Sequence, residues 1–236
     1  MRLDESSMLL WYPKIKDLDI PQPKTEMLEL EGLAGWGYPE ERLGRDYPKI
    51  KSVARKIGYP LFVRTDLASG KHDWERSCYV ADETRLGANI RGVLEFNYCA
   101  DVVGLQCRAL VFREFIKMAS AFTAFWGKMP VNPERRYFIK DGGILCHHHY
   151  WIEDAIRNPS IENWKPVLKK LNTETPEEVS LLTSHAEKVG KVLKGYWSVD
   201  FCKGANGVWY LIDLAKGDIS WHEESCPFKK REMEKE

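Results

Sequence analysis

Residues 196–214 read Tyr196-Trp197-Ser198-Val199-Asp200-Phe201-Cys202-Lys203-Gly204-Ala205-Asn206-Gly207-Val208-Trp209-Tyr210-Leu211-Ile212-Asp213-Leu214, two apolar, aromatic-rich runs around an Asn-Gly pair. That is a hairpin signal. With a two-residue type I′ turn at Asn206-Gly207, Ala205 pairs with Val208, and counting back along both strands sets Asp200 opposite Asp213. Directly opposed like charges destabilise a sheet, their Cβ atoms lying within about 5.5 Å. A divalent cation between the two acids would explain the pair. An all-oxygen donor set favours Mg²⁺, which fills its remaining positions with water and phosphate oxygens. The plainer alternative is a four-residue loop that shifts the register and leaves each acid an ordinary surface charge.

Working outward from this hairpin, Thr175-Pro176-Glu177-Glu178 opens a helix. Thr175 suits the cap, Pro176 the first helical position, and Glu178 completes a capping box. Val179, Leu182, Ala186, Val189 and Leu193 form its apolar stripe. Further back, Tyr137–Lys140 and Ile144–His147 flank Asp141-Gly142-Gly143, a second hairpin, preceded by an aromatic loop from Met118 to Pro133. Cys107 to Ile116 is apolar through its middle and reads as a buried strand, Glu83 to Ala100 as a helix, and Tyr59 to Thr65 as a strand. Ile50, Val53, Ala54 and Ile57 give Pro48–Ile57 a helical stripe that stops at Gly58.

Residues 1–58 read as an N-terminal lead-in, with a proline-set extended stretch at Ile20–Thr25 and glycine punctuation from Gly32 to Gly37. Residues 229–236 are a charged tail. Between them, 59–228 mixes antiparallel hairpins with helices, an α+β pattern in two lobes, roughly 59–116 and 117–228.

Three further groups of side chains carry charge onto these elements. Arg64-Thr65-Asp66-Leu67-Ala68-Ser69-Gly70-Lys71-His72-Asp73 delivers an arginine from a buried strand into a small-residue turn with a lysine. A fixed fork, a mobile ammonium and turn amides suit a polyphosphate. The GxxxxGK[ST] spacing of a P-loop is absent, and a solvated loop with incidental charges is the alternative. Arg113-Glu114 ends one strand and Glu134-Arg135-Arg136 opens another. By alternation Arg136, Phe138 and Lys140 share one face, and Arg135, Tyr137 and Ile139 the other. Charges so close to apolar strands must be paired or lie in a cleft. A structural ion pair between Glu134 and Arg136 is the competing reading.

His147, His148 and His149 alternate faces on a strand, so at most two converge, and satisfied or exposed histidines are expected rather than zinc. Six cysteines without a CxxC pair read as reduced, mostly buried thiols. Trp126, Trp151, Trp164 and Trp197 read as core or lobe-lining aromatics.

The 35 basic and 35 acidic residues among 236 cancel, so the chain lacks the broad basic surface of a sequence-independent nucleic-acid binder. Hydrophobic residues at 44 % and nine tryptophans exclude a disordered chain. Acids at the N-terminus where a signal peptide needs bases, and no apolar run near the ~20 residues that span a bilayer, predict a cytoplasmic protein.

Taken in order, these pieces resemble an ATP-grasp fold over most of the chain, two α+β lobes clamping a nucleotide between antiparallel sheets. Ile20–Thr25 resembles the segment that precedes the nucleotide-binding lobe, and Tyr59–Arg64 its phosphate-contacting strand. Val111–Ile116 looks like the hinge strand that holds ribose and adenine through a carboxylate and backbone groups. Asp200 and Leu211-Ile212-Asp213 are similar to the paired acids that bind Mg²⁺-ATP. Arg113, Glu134, Arg136 and Lys71 together resemble a phage-type clade of that superfamily marked by two arginines and a lysine. A more distant likeness is to the eukaryotic ATP-grasp chaperone that assembles a translation initiation factor. Ala215 departs from the pattern, standing where most members carry asparagine. The loop after Arg64 is also short.

The resemblance implies ATP and Mg²⁺ as cofactors and an ATP-dependent carboxylate-amine ligase that activates a small-molecule or peptide carboxylate as an acyl phosphate for attack by an amine. It implies that Arg64, Lys71, Glu114, Phe115 and Ile116 hold the nucleotide and that Asp200 and Asp213 hold the metal. Arg136, oriented by Glu134, would face the transferring phosphoryl or the substrate carboxylate, and Arg113 is the third catalytic residue implied. The alternative is a non-catalytic ATP-binding module that holds a protein partner. A nucleotidyl transferase, forming an adduct on Lys71, is a third possibility.

Overall fold

A computed structural model describes residues 4–33, 40–101, 106–224, 226, 228 and 229. The glycine-punctuated stretch beyond residue 33 and the tail beyond 229 lie outside the described residues. The chain opens with helix α1 (Met8–Ile15), strand β1 (Thr25–Glu29) and helix α2 (Glu40–Ile57). Strands β2 (Leu61–Thr65) and β3 (Tyr79–Val80), helix α3 (Leu86–Asp101) and strand β4 (Ala109–Glu114) follow. They make a four-stranded antiparallel sheet in the order β1-β4-β2-β3. The N-terminal lead-in thus supplies an edge strand, Thr25 to Glu29 pairing with Arg113 to Ala109.

The second half begins with a short hairpin, β5 (Phe122–Ala124) and β6 (Met129–Val131). Next come β7 (Glu134–Lys140), β8 (Gly143–His149), helices α4 (Trp164–Asn172) and α5 (Pro176–Val192), and strands β9 (Tyr196–Lys203) and β10 (Trp209–Lys216). The second sheet runs β10-β9-β7-β8, again antiparallel.

Helix α2 begins eight residues before the expected Pro48. Leu43, Tyr47, Ile50 and Ala54 pack into one cluster, and this continuous stripe outweighs the roughly 3 kcal/mol that an interior proline costs. The stretch expected as an aromatic loop holds the β5–β6 hairpin. Its strands are only three residues long, and Phe125 (φ 63°) and Lys128 (φ 55°) take left-handed conformations usually reserved for glycine or asparagine. Gly127 is required there by close approach, since a Cβ would stand 2.2 Å from the Trp74 amide nitrogen.

In the β7–β8 hairpin Lys140 faces Gly143, so the turn is Asp141-Gly142, both at positive φ, as a type I′ turn demands. Thr175 caps α5 by accepting from the Glu178 amide at 3.3 Å. The Glu178 carboxylate, expected to close a capping box, is held by Lys203 instead.

The β9–β10 hairpin reaches the expected Asp200–Asp213 pairing by a different route. The Gly204 amide donates to the Val208 carbonyl, enclosing Ala205-Asn206-Gly207, with Gly207 at φ 81°. This is the three-residue loop with a left-handed third residue. It pairs Trp209 with Lys203, one residue out of the type I′ register, and a bulge between Leu211 and Asp213 restores it. Two departures from regularity cancel.

Among the described residues, buried apolar side chains form three clusters. α2, α3 and the first sheet enclose one, and the β5–β6 hairpin with Trp151, Ile156 and Leu168 another. The third joins α5 and the second sheet to Met8, Trp11 and Ile15 of α1, so the lead-in fastens both sheets.

Candidate functional site

A cavity of about 370 Å³ lies where the two sheets meet, and all ten residues singled out above line it: Arg64, Lys71, Arg113, Glu114, Phe115, Ile116, Glu134, Arg136, Asp200 and Asp213. Strand alternation puts them there. Glu134 and Arg136 are two apart on β7, and Arg136 faces Asp200 on β9 while Glu134 faces Cys202. On β4, Arg113 pairs with Phe62 of β2, and the chain leaves the first sheet through Glu114, Phe115 and Ile116.

The cavity has two chemical ends. Pro23, Phe62, Trp74, Phe96, Met118 and Met129 contribute apolar wall. Trp74 packs against Phe62 at 5.7 Å, stacks on Tyr79 at 5.8 Å and touches Phe115 at 6.3 Å, centroid to centroid. This aromatic cluster, of which only Phe115 was in the expected site, is the surface on which a planar base could lie. Its signal in the sequence is weak, because Trp74 follows the basic turn by three residues and belongs to no motif.

The charged end is tied across the sheets. Arg64 Nη1 meets Asp213 Oδ2 at 2.8 Å, and its Nε donates to the Thr65 carbonyl at 3.0 Å. Arg113 donates through Nη1 to the Ile212 carbonyl and through Nε to Thr25 Oγ1 at 3.3 Å. Burial, reinforced by the Arg64 cation, pushes Arg113 down to about 10, so it stays charged at neutral pH.

Arg136 forks onto Asp200, Nε to Oδ1 at 2.8 Å and Nη2 to Oδ2 at 2.7 Å, and Nη1 reaches the Trp221 carbonyl at 3.0 Å. Asp200, and not the expected Glu134, therefore orients Arg136. Glu134 instead faces Lys71 at 3.7 Å. Burial works against the Lys71 ammonium, but the Glu134 carboxylate holds its pKa above the ordinary lysine range. Burial raises Glu134, with Lys71 opposing.

Tyr150 completes this end and was not singled out from sequence. Lys71 Nζ sits 4.2 Å, and Arg136 Cζ 4.6 Å, from its ring centroid. The ring is a shared cation–π platform. Its one signal is position, immediately after β8.

Two expectations change. The Leu67 and Ala68 amides donate to Thr65 Oγ1 at 3.3 and 2.9 Å, and Asp66 accepts from the Arg108 and Ala109 amides, so the first half of the basic turn stabilises itself. Ser69, Gly70 and Lys71 remain at the cavity wall. The opposed acids, moreover, need no cation for their coexistence, because each has its own arginine. Among the described residues, no three carboxylates of this cavity bring their oxygens within 4.8 Å of one another. That suits an ion held by one or two carboxylates and otherwise by water and phosphate, as Mg²⁺ is.

Three buried atoms of the lining residues have no hydrogen-bond partner: a charged pair, Arg113 Nη2, a donor, and Glu134 Oε2, an acceptor, and the neutral Asn132 Oδ1. Such groups cost free energy unless a ligand satisfies them. A ligand offering both anionic oxygens and a cation or donor fits that pair, as magnesium-bound polyphosphate does. Trp151 and Trp197 are buried, as core aromatics are, whereas Trp126, expected in the core or lining a lobe, is 77 % exposed and does not line the cavity.

A family model described as ATP-grasp domain, R2K clade family 3, matches residues 49–231. No curated protein matches the sequence significantly. Among solved structures, the chain is similar to Cdc123 from Schizosaccharomyces pombe, with TM-score 0.53 and 13% identity over 90% of this chain and 83% of that one. It is also similar to the RimK domain protein ATP-grasp from Sphaerobacter thermophilus DSM 20745, with TM-score 0.50 and 14% identity over 96% of this chain and 63% of that one. The N5-carboxyaminoimidazole synthetase of Staphylococcus aureus matches with TM-score 0.50 and 10% identity over 89% of this chain and 44% of that one. The chain thus spans under two thirds of the length of the latter two.

Proposed function

Because the chain belongs to the ATP-grasp domains of R2K clade family 3, we propose that the cavity binds Mg²⁺-ATP and serves an ATP-dependent ligase that activates a carboxylate for attack by an amine. The single observation that carries the reading is the pair of buried charged atoms left without a hydrogen bond, Arg113 Nη2 and Glu134 Oε2, the latter 3.7 Å from Lys71, in a cavity with one aromatic and one charged end.

The base would lie at the aromatic end, with Glu114 and the backbone of Phe115 and Ile116 about the nucleoside. Arg64, Lys71 and Arg113 would take phosphate oxygens. Asp213, 35 % exposed, and Asp200 behind it would hold Mg²⁺, which supplies charge neutralisation at the phosphates. Each arginine–aspartate pair would exchange partners as the anion meets the arginine and the cation the carboxylate. Arg136 would face the transferring phosphoryl or the substrate carboxylate. The protein's task is then positioning and electrostatic stabilisation, the substrate carboxylate supplying the nucleophile.

A second reading, a module that binds ATP to hold a protein partner without turnover, is favoured by Ala215. It lines the cavity two residues beyond Asp213 and offers no side-chain oxygen to a metal. Calorimetry with ATP tests the shared premise: Mg²⁺-dependent binding is expected in the native protein and its loss in Asp213→Asn, with the circular dichroism spectrum unchanged. Binding unaltered by that substitution would sink the metal assignment. ADP and phosphate release that requires a pooled amino-acid or peptide substrate supports the ligase, and ATP binding without such release supports the holding module.

A further inference from the structure

Beyond Arg136 the same face of the second sheet carries side chains that the nucleotide site does not use. Cys146 and His148 are two apart on β8 and share a face, with Cys146 opposite Phe138 and His148 opposite Arg136. The chain after β10 brings His222 and Cys226 over them. Cys146 Sγ stands 3.2 Å from His222 Nε2, and the ligand atoms of Cys146, His222 and Cys226 all lie within 4.8 Å of one another. Among the described residues this is the only such group of three or more histidine, cysteine or acidic side chains.

We infer that Cys146, His222 and Cys226 bind a zinc ion, with His148, which lies just outside their 4.8 Å group, turning in to take the fourth position. The donor chemistry selects the metal, since two sulfurs with imidazole nitrogen suit zinc and no carboxylate of the group would favour a hard ion. With Zn–S near 2.3 Å and Zn–N near 2.0 Å, ligands around one tetrahedral ion stand about 3.3 to 3.8 Å apart, against 3.2 Å between Cys146 and His222 and no more than 4.8 Å within the group. Cys226 and His222 are each 8 % exposed, so the site is enclosed, as structural zinc sites are.

His148 shows the second mark of a ligand. Its Nδ1 lies 2.9 Å from the His149 carbonyl, which fixes the proton there and leaves the lone pair on Nε2. That Nε2 is buried and has no partner. The ring lies 5.4 Å from that of His222, centroid to centroid. Phe138 stacks on His222 at 4.0 Å and keeps one side of the site apolar.

Binding is coordination without redox change. Each cysteine thiol gives its proton to solvent as the Zn–S bond forms, and the imidazoles bind neutral. The consequence reaches the nucleotide site, because His222 follows Trp221, whose carbonyl accepts from Arg136. The ion would fasten the segment around His222 over the sheet, making Cys146, His222 and Cys226 positioning residues for Arg136. Neither half of the motif, Cys146-x-His148 or His222-x₃-Cys226, resembles a CxxC pair, and 74 residues separate His148 from His222.

The full chain, purified under reducing conditions and dialysed after zinc loading, tests this by elemental mass spectrometry. One zinc per chain is expected, falling at least tenfold in Cys146→Ser and Cys226→Ser but not in Cys99→Ser, whose thiol is exposed and outside the group. In the native chain, zinc should slow alkylation of Cys146 and Cys226 at least tenfold, a readout independent of whether the variants fold. Cobalt substitution should give thiolate charge-transfer and tetrahedral d–d bands that change in His148→Gln. Zinc-free native protein, zinc retained in both serine variants, or thiols alkylated equally fast with and without zinc would overturn the site. A cobalt spectrum unchanged in His148→Gln would remove His148 from it.

Discussion

Arg135 and Arg136 are neighbours on β7, both buried, and they face opposite sides of the second sheet. Arg135 turns to the α5 side. There its Nη2 donates to the Leu171 and Thr173 carbonyls at 3.1 and 2.9 Å, its Nη1 to the Glu134 carbonyl at 3.1 Å, and its Nε meets Glu174 at 3.0 Å. Backbone, neighbouring acids and the Trp209 ring, 5.3 Å from Cζ, surround it, in a network that ties β7 to the start of α5. Arg136 turns to the cavity, where Asp200 holds it from behind and Tyr150 lies across it. The same residue type, one position apart, is enclosed by protein on one face and lines the cavity on the other. Burial does not separate the two roles. What separates them is whether the space beyond the guanidinium is filled by protein or open to the cavity.

The largest effect should come from breaking the cavity-side pair. Arg136→Ala strands the Asp200 carboxylate, and removing one partner of a buried pair costs about 3–5 kcal/mol. Urea unfolding should show that loss, and calorimetry the loss of ATP binding. Replacing both partners, Arg136→Met with Asp200→Leu, should return most of the stability, because no charge is left uncompensated. It should return none of the ATP binding. A double variant that binds ATP would show that the pair serves only the fold.

Arg135→Ala is the counterpart on the other face. It leaves the Leu171 and Thr173 carbonyls without their donor and should destabilise by about 2–4 kcal/mol. ATP affinity, measured where the variant is still folded, should stay within about threefold of the native value, or about 0.65 kcal/mol. A larger change in affinity would mean that the two faces are coupled and that the contrast between neighbours is weaker than the geometry states.

The contrast also shows what could be read from the chain. Alternation on β7 separates Arg135 from Arg136 without a structure, and the Asp-Gly turn and the Thr175 cap set their elements from local chemistry alone. The Asp200–Asp213 pairing follows from counting, although by a turn and a bulge that offset one another. Partners were less legible. Nothing local indicates that Asp200 rather than Glu134 orients Arg136, because Asp200 arrives from a strand 64 residues away in the chain. Tyr150 and Trp74 gain their roles only from where the backbone carries them. His222 and Cys226 meet Cys146 only through the path taken after β10, and no spacing rule spans that distance.

The smallest effect sharpens the structural face by pH. Burial alone would raise Glu174, but His147 and Arg135 outweigh it and hold its pKa below the usual 4.5. A carboxylate depressed in the folded state stabilises fully above the unfolded pKa and loses that contribution as pH falls through the folded value. The network should therefore contribute fully near neutrality and fade below about pH 4.5, by about 1 kcal/mol for a part-exposed group. Urea unfolding of the native chain and of Glu174→Gln at about pH 7 and about pH 3.5 isolates the change, since the glutamine cannot titrate. The two stabilities should converge on acidification. A gap that stays constant with pH would show that Glu174 acts on α5 through packing, and that the closure around Arg135 owes its strength to the Leu171 and Thr173 carbonyls rather than to charge.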